Sequence, residues 1–236
     1  MALRWQAQSV PKAGHGRDEN EDQFSVADFE AGSRLRAAVA DGATESVFSR
    51  EWAWALVQAW LERPEVDERM LARASQAWVE AMPPREALPW YALARLEDGS
   101  HAAAAFLEVW LDGDTVRWVA GVAGDCLVLV RRGRHRRTVP FPPPRFDSMP
   151  SLLGTTPPWD LESVQVARGR SKRLVEIWIA TDALAAAFLR QGRRLVWDHW
   201  RLALESQETF ERLVASWRSD GRLRNDDATL VRIWLE

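Results

Sequence analysis

Apolar and polar side chains alternate over residues 3–10, the period-two pattern of a half-buried strand. Short apolar runs over 23–27 and 35–40 predict two more strands, the second ending abruptly in Asp41-Gly42. Beyond Ser49 the period changes. Trp52, Ala53, Leu56, Val57, Trp60 and Leu61 recur at steps of three and four, which predicts an amphipathic helix stopped before Pro64. Residues 67–82 repeat that pattern with Met70, Leu71, Ala74, Ala77, Trp78 and Ala81 on one face, closed by Pro83-Pro84. Strands return from His101: 102–111, a hairpin turn at Asp112-Gly113-Asp114, 115–122 and 125–130. Further strands are predicted over 164–167 and 174–180, the second nearly all apolar and therefore central in its sheet. Helices follow over 183–190, 197–205 and 208–217, the last capped by Ser206 or its neighbours, and a strand over 228–235 closes the chain.

Grouped strands interrupted by helix pairs predict an α+β fold in which two antiparallel sheets are covered by helices. At 236 residues the chain suits one large domain over 1–236, or two small ones, and is long enough to bury a layered core. The proline-rich stretch 141–158 is irregular and of a size usually tied to function. It is no linker between domains, because related motifs continue beyond it.

Composition adds exclusions. With 47% hydrophobic and 28% charged residues the chain is an ordinary globular sequence, and no apolar run approaches the ~20 residues that span a bilayer. The first residues lack the apolar core of a signal peptide, so a cytoplasmic location is expected, without membrane contact. One cysteine excludes an internal disulfide framework. A net charge of −3 gives no global pull toward nucleic acid. The local exception, Arg131-Arg132-Gly133-Arg134-His135-Arg136-Arg137, lies between apolar runs and reads as a solvated hairpin tip, with a docking patch for an acidic or phosphorylated partner as the alternative. Fourteen tryptophans recur at strand or helix spacing and read as packing, not as a base-stacking platform.

The chemistry-bearing residues sit where apolar runs start or stop. They are Arg17 to Asp22 in Arg-Asp-Glu-Asn-Glu-Asp, Asp41-Gly42, Asp125 in Gly124-Asp125-Cys126, Asp182 after a strand of apolar residues, and Asp226-Asp227 before the last strand. Carboxylates at strand ends, with a glycine carbonyl beside one of them, are donors suited to a hard divalent cation. If the strands share one edge, the acids converge. Singly, each is as well explained by a turn or a cap.

In this order, from Gly14 to Val231, the set resembles the metal-dependent serine/threonine protein phosphatases of type 2C. The resemblance implies an α/β/β/α sandwich and hydrolysis of phosphoserine and phosphothreonine by a water activated at a two-metal centre. It implies Mg²⁺ or Mn²⁺ as cofactors, with Asp41 bridging the pair, Glu21 and the Gly42 carbonyl on one ion, and Asp182 and Asp226 on the other. Asp125 matches the acid of a third, weaker metal site. Arg17 matches the phosphate-binding arginine, and Asp22 matches an acid that orients water. The partners implied are a phosphorylated protein substrate and a serine/threonine kinase of the same pathway, with the chain acting as a monomer. The proline-rich segment at about 140–160 corresponds to a flap that bears on substrate choice.

Departures are as informative. Ala43 stands where animal members carry a histidine that protonates the leaving alcohol, a role that Glu45 could take. Ala183 replaces a glycine after Asp182, and Asp227 an asparagine after Asp226. These departures sustain an alternative: a silent relative that binds a phosphoprotein or kinase as a regulator. Cys126 to Arg132 spells C-x5-R, the nucleophile loop of cysteine phosphatases, but Leu127 to Val130 between them is a buried-strand sequence, so Cys126 reads as a core residue. His15, His101, His135 and His199 are too scattered for a zinc site.

Overall fold

The computed structural model describes residues 1–133, 135–146, 150–172, 175–192 and 196–236, with Tyr91 described by its backbone alone. Eleven strands form two antiparallel sheets among these residues. The first, in the order β1-β11-β10-β6-β7, comprises β1 (Leu3–Val10), β11 (Ala228–Leu235), β10 (Glu176–Ala180), β6 (Leu127–Arg132) and β7 (His135–Val139). The second, β2-β3-β4-β5-β9, comprises β2 (Asp22–Phe29), β3 (Arg34–Gly42), β4 (His101–Asp112), β5 (Thr115–Ala123) and β9 (Gln165–Ser171), with the short β8 (Leu153–Gly154) beside β4.

Side-chain alternation along β3 explains the layering. Leu35, Ala37 and Val39 face the other sheet, where they meet Val128, Ile177, Ile179, Val231 and Ile233 in one buried layer. Ala38 and Ala40 face the opposite way, with Ala102, Ala104 and Phe106 of β4, against Trp52, Leu56 and Trp60 of α1 (Ser49–Glu62) and Leu71 and Trp78 of α2 (Glu68–Ala81). Small strand residues leave room for tryptophans on the helix, so volume is conserved across the interface. Asp67 caps α2, its carboxylate accepting the Met70 N–H at 2.8 Å.

The outer face of the first sheet is covered by α4 (Asp182–Gln191), α5 (Trp197–Ala203) and α6 (Gln207–Ser219), the last with Ser206 as its cap. Trp178 and Leu129 pack there against Phe188, Trp200, Phe210 and Trp217. This is the expected sandwich of two antiparallel sheets under helices. Most tryptophans are packing elements as expected, although Trp90 on the short α3 (Trp90–Leu96) is 80% exposed, and the apolar pattern did not disclose that helix. The basic run forms the expected hairpin, β6 to β7, with Arg132 opposite His135. Arg134 at its tip, 147–149 in the proline-rich stretch and Leu174 at the start of a predicted strand lie outside the described residues. No helix among the described residues is long and apolar enough to cross a membrane.

Candidate active site

The predicted acids come from both sheets. Asp22 opens β2 and Asp41 lies opposite it near the end of β3, as neighbours in register. Asp125 follows β5 in the connection to β6, Asp182 follows β10 at the first turn of α4, and Asp226 precedes β11. All five therefore stand at one end of the sandwich. The two halves are tied together there, because Thr181 donates its hydroxyl to Asp22 Oδ2 at 2.9 Å and its N–H to the Thr229 carbonyl at 3.2 Å.

Two glycines make this approach possible. A Cβ on Gly42 would lie 2.7 Å from the Ser49 backbone, so only glycine lets β3 end against the start of α1. Gly124 has φ +77°, and a Cβ there would meet Ala103 at 2.7 Å and Leu152 at 3.3 Å. Leu152 thus brings the proline-rich segment against the turn that carries Asp125.

Proximity shows in the protonation equilibria. Burial is the first cause that raises the Asp22 carboxyl to about 8, followed by the charges of Asp227 and, further down, Asp226. Half-buried Asp41 is pushed well above the ordinary range by desolvation and then by Asp22, Asp125, Asp226 and Asp227. Asp125 is raised by burial, with Arg224 opposing and Asp226 reinforcing the shift. Packed like charges of this kind call for positive charge.

Part of it is supplied by Arg224, which the sequence reading did not single out. Its guanidinium pairs with Asp182 and, at 3.1 Å, with Asp226. Among the described residues no three acidic, histidine or cysteine side chains encircle a point as a ready-made metal cage. The donor chemistry nonetheless fits a hard cation: Asp22 Oδ1 is buried without a hydrogen-bond partner among the described residues, and the neighbouring side chains Asp41 and Asp125 are carboxyls raised by burial.

Glu21 stands slightly apart. Its carboxylate accepts hydroxyl hydrogen bonds from Ser49 at 2.5 Å and Thr44 at 2.7 Å, with the Lys12 ammonium 3.7 Å away. Arg17 is exposed and shares Glu211 at 3.1 Å, yet it also lines a cavity of about 210 Å³ with Asp22, Asn20, Ser9 and Gln207. Glu45 is exposed, and Cys126 is fully buried, its thiol pushed up by burial and by Asp41. Leu127–Arg132 being strand β6, no phosphate-binding loop follows that thiol.

Asp227 has a role that the motif comparison did not disclose. Its Oδ1 accepts the Lys12 N–H and its Oδ2 the Glu21 N–H, both at 2.7 Å, so one carboxylate fastens the Arg17 loop to the start of β11. An asparagine has one acceptor for these two donors. Asp227→Asn is expected to destabilise the chain by ~1–3 kcal/mol through one orphaned N–H, read as a lowered urea midpoint at constant slope. An unchanged midpoint would show that the second bond contributes nothing. The polar residues beside the acids (Ser9, Asn20, Thr181, Thr229) form a second missed group. Asn20 donates to Ser9 Oγ at 2.8 Å, and Ser9 and Thr229 share a hydrogen bond of 2.7 Å. Their signal was a hydroxyl or amide inside otherwise apolar strand ends.

The model of the family described as protein phosphatase 2C matches residues 13–224. No curated protein matches the chain. Solved structures share the fold at low identity. The serine/threonine phosphatase Stp1 from Staphylococcus aureus superposes with a TM-score of 0.60 at 15% identity, covering 100% of this chain and 96% of that one. The PstP catalytic domain in complex with two manganese ions gives 0.56 at 16%, covering 100% and 99%. RsbX in complex with magnesium gives 0.58 at 17%, covering 100% and 96%. The fold is thus that of the bacterial phosphatase structures of this type. The chain belongs to the protein phosphatase 2C family.

Proposed function

We propose that this chain is a single catalytic domain that hydrolyses phosphoserine and phosphothreonine in proteins, using Mg²⁺ or Mn²⁺. The observation that carries the reading is the meeting of Asp22, Asp41, Asp125 and Asp226 from separate strand ends, with the charge of Asp226 close enough to raise the carboxyls of the other three beyond what burial does. A chain with no use for cations has no reason to keep such acids together against desolvation. The magnesium and manganese in the RsbX and PstP structures support the same ions here.

In this reading Glu21, Asp41 and the Gly42 carbonyl would hold one ion and Asp182 and Asp226 the other, with Asp41 shared by both. Asp125 with Asp182 offers a third, weaker position. When bound, the ions supply an ionised water as nucleophile and neutralise charge on the phosphoryl oxygens. Asp22, with Oδ1 free, orients the attacking water. Arg17, at the mouth of the cavity beside Asp22, grips two phosphoryl oxygens with its planar guanidinium. A kinase of the same pathway would supply the substrate, and the chain acts as a cytoplasmic monomer. The direct test is hydrolysis of para-nitrophenyl phosphate and a phosphothreonine peptide with Mn²⁺, with and without chelator. Activity insensitive to chelator would refute the metal-dependent mechanism.

Arg224 has to leave its carboxylates before an ion can use them. Arg224→Met is therefore expected to bind Mn²⁺ about tenfold more tightly by calorimetry and to lower the thermal midpoint of the metal-free chain. Equal Mn²⁺ affinity in both proteins would show that the guanidinium does not compete. The same ion pairs favour a second reading, a silent regulator that binds a phosphoprotein or kinase while Arg224 permanently neutralises the acids. Failure of the parent chain both to bind Mn²⁺ and to hydrolyse phosphate esters selects it.

A further inference from the structure

One corner of the end away from the acids, where the outermost strands of the two sheets meet, is rich in arginine. In β6, Leu127 lies two residues beyond Asp125, and the strand then runs to Arg132 at the far end. In β9, Gln165 pairs with Val122 near the acids and Ser171 with Val116 at the far end. β7 and β9 are the outermost strands of their respective sheets on the same side of the sandwich. They are bridged where Arg137 donates to the Arg168 carbonyl at 3.1 Å. Residues 132 and 135–137 of one stretch and 169–171 of another, more than thirty residues apart, thereby form the walls of one cleft of about 360 Å³. Arg132, Arg136, Arg137 and Arg170 stand on its walls, and Val130 and Val175 lie at its base.

These arginines are exposed, and among the described residues none of the four pairs with a carboxylate. Arg136 and Arg137 donate to backbone carbonyls, and Arg137 also lies over the Trp118 ring. Glu176, on the strand next to β6, is already shared by Arg131, Arg201 and Arg232 and has no acceptor capacity for a further guanidinium. In a chain of net charge −3 this excess is local, and holding like charges in one cleft without counter-charges is unfavourable until an anion arrives.

We propose that this cleft is a docking site for an extended, glutamate- and aspartate-rich segment of a protein partner. Guanidinium forks match carboxylates in pairs. Among the described residues the outer edges of β7 and β9 have no neighbouring strand in their sheets, so an extended chain laid between the walls can add main-chain hydrogen bonds, and the apolar base takes its alternate side chains. Single-stranded nucleic acid fits less well. Trp118, the tryptophan in the lining, is buried, with Arg137 over its ring at 5.3 Å and Gly169 pressed so close that a Cβ would lie 2.5 Å away. No face of that indole remains on which a base could stack, and the exposed His135 is a single small ring, not a platform for successive bases. Docking here does not depend on whether the acids at the other end catalyse anything.

The test uses the full chain with chelator present, so that hydrolysis plays no part, and a fluorescein-labelled peptide of alternating glutamate and valine read by anisotropy. Saturable binding that weakens with added salt is expected, and Arg132→Glu with Arg170→Glu should weaken it at least about tenfold. An unchanged thermal midpoint verifies that the double variant is folded. If it is not, Arg132→Gln with Arg170→Gln replaces it, with a weakening of at least about threefold expected. Absence of saturable binding, equal affinity in the folded variant, or tighter binding of a single-stranded oligonucleotide or of phosphatidylserine vesicles than of the peptide would each overturn the proposal.

Discussion

Asp41→Asn is expected to lower Mn²⁺-supported hydrolysis of para-nitrophenyl phosphate by ~10³-fold or more and, in the same protein, to raise the thermal midpoint measured in chelator. Both effects have one cause. Asp41 is held between Asp22, Asp125 and Asp226 with its pKa driven up by desolvation first and by those charges second, so in its ionised form it is the least comfortable group at this end of the molecule. A neutral amide of the same shape removes that penalty. Under the proposed function it also removes a carboxylate, opposite Asp22 near the end of β3, that the cations would share. Opposed changes in activity and stability are the mark of a functional site that is strained without its ligand. Retained activity would mean that the centre lies elsewhere, and a lowered midpoint with lost activity would mean that Asp41 is a structural residue.

The stability of the metal-free chain should fall as pH rises from about 4 to about 8. Asp22 has an ordinary value of 3.8 and a folded value of about 8. Between these limits the folded chain holds a proton that the unfolded chain has released, so the unfolded state binds fewer protons and stability decreases with increasing pH. Below the window both states are protonated and nothing is lost; above it the loss is complete, of order 5 kcal/mol for a shift of that size. Asp41 acts in the same sense. Glu176 acts in the opposite one: desolvation raises it, but three arginines outweigh burial and hold it below its ordinary range, so its contribution is present at neutral pH and fades only in acid. Thermal midpoints in chelator should therefore peak in mildly acidic buffer and decline toward alkaline pH, and added Mn²⁺ should flatten the decline by taking the place of the protons. A midpoint that rises steadily from pH 5 to 9 in chelator would contradict the buried, mutually repelling arrangement of Asp22 and Asp41.

How much of this was legible in the sequence depended on whether a feature is local. The β3 run into Asp41-Gly42, the cap at Ser206, the hairpin across Gly133 and the long helices were read from periodicity and turn chemistry, because each is decided by residues within a few positions of itself. The short α3 was missed because seven residues hold too few turns for a period to show. Gly42 was read as a turn residue, whereas it ends a strand and is required by the close approach of Ser49. Asp227 was read as a departure from a motif, but its two oxygens fasten the Lys12 and Glu21 amides. Arg224 carried no signal at all, since an arginine in a polar loop is ordinary until its neighbours in space are known to be Asp182 and Asp226.

The order of apolar and polar residues by itself determined most of the strands, the long helices and the placing of acids where several of those strands start or stop, for these follow from backbone geometry and the burial of one face. Tertiary structure alone decided that the acids of two different sheets share one end, that an arginine lies among them, and that two basic stretches wall a single cleft at the other end. Charge acts through space and not along the chain, so its consequences exist only once folding has set the distances.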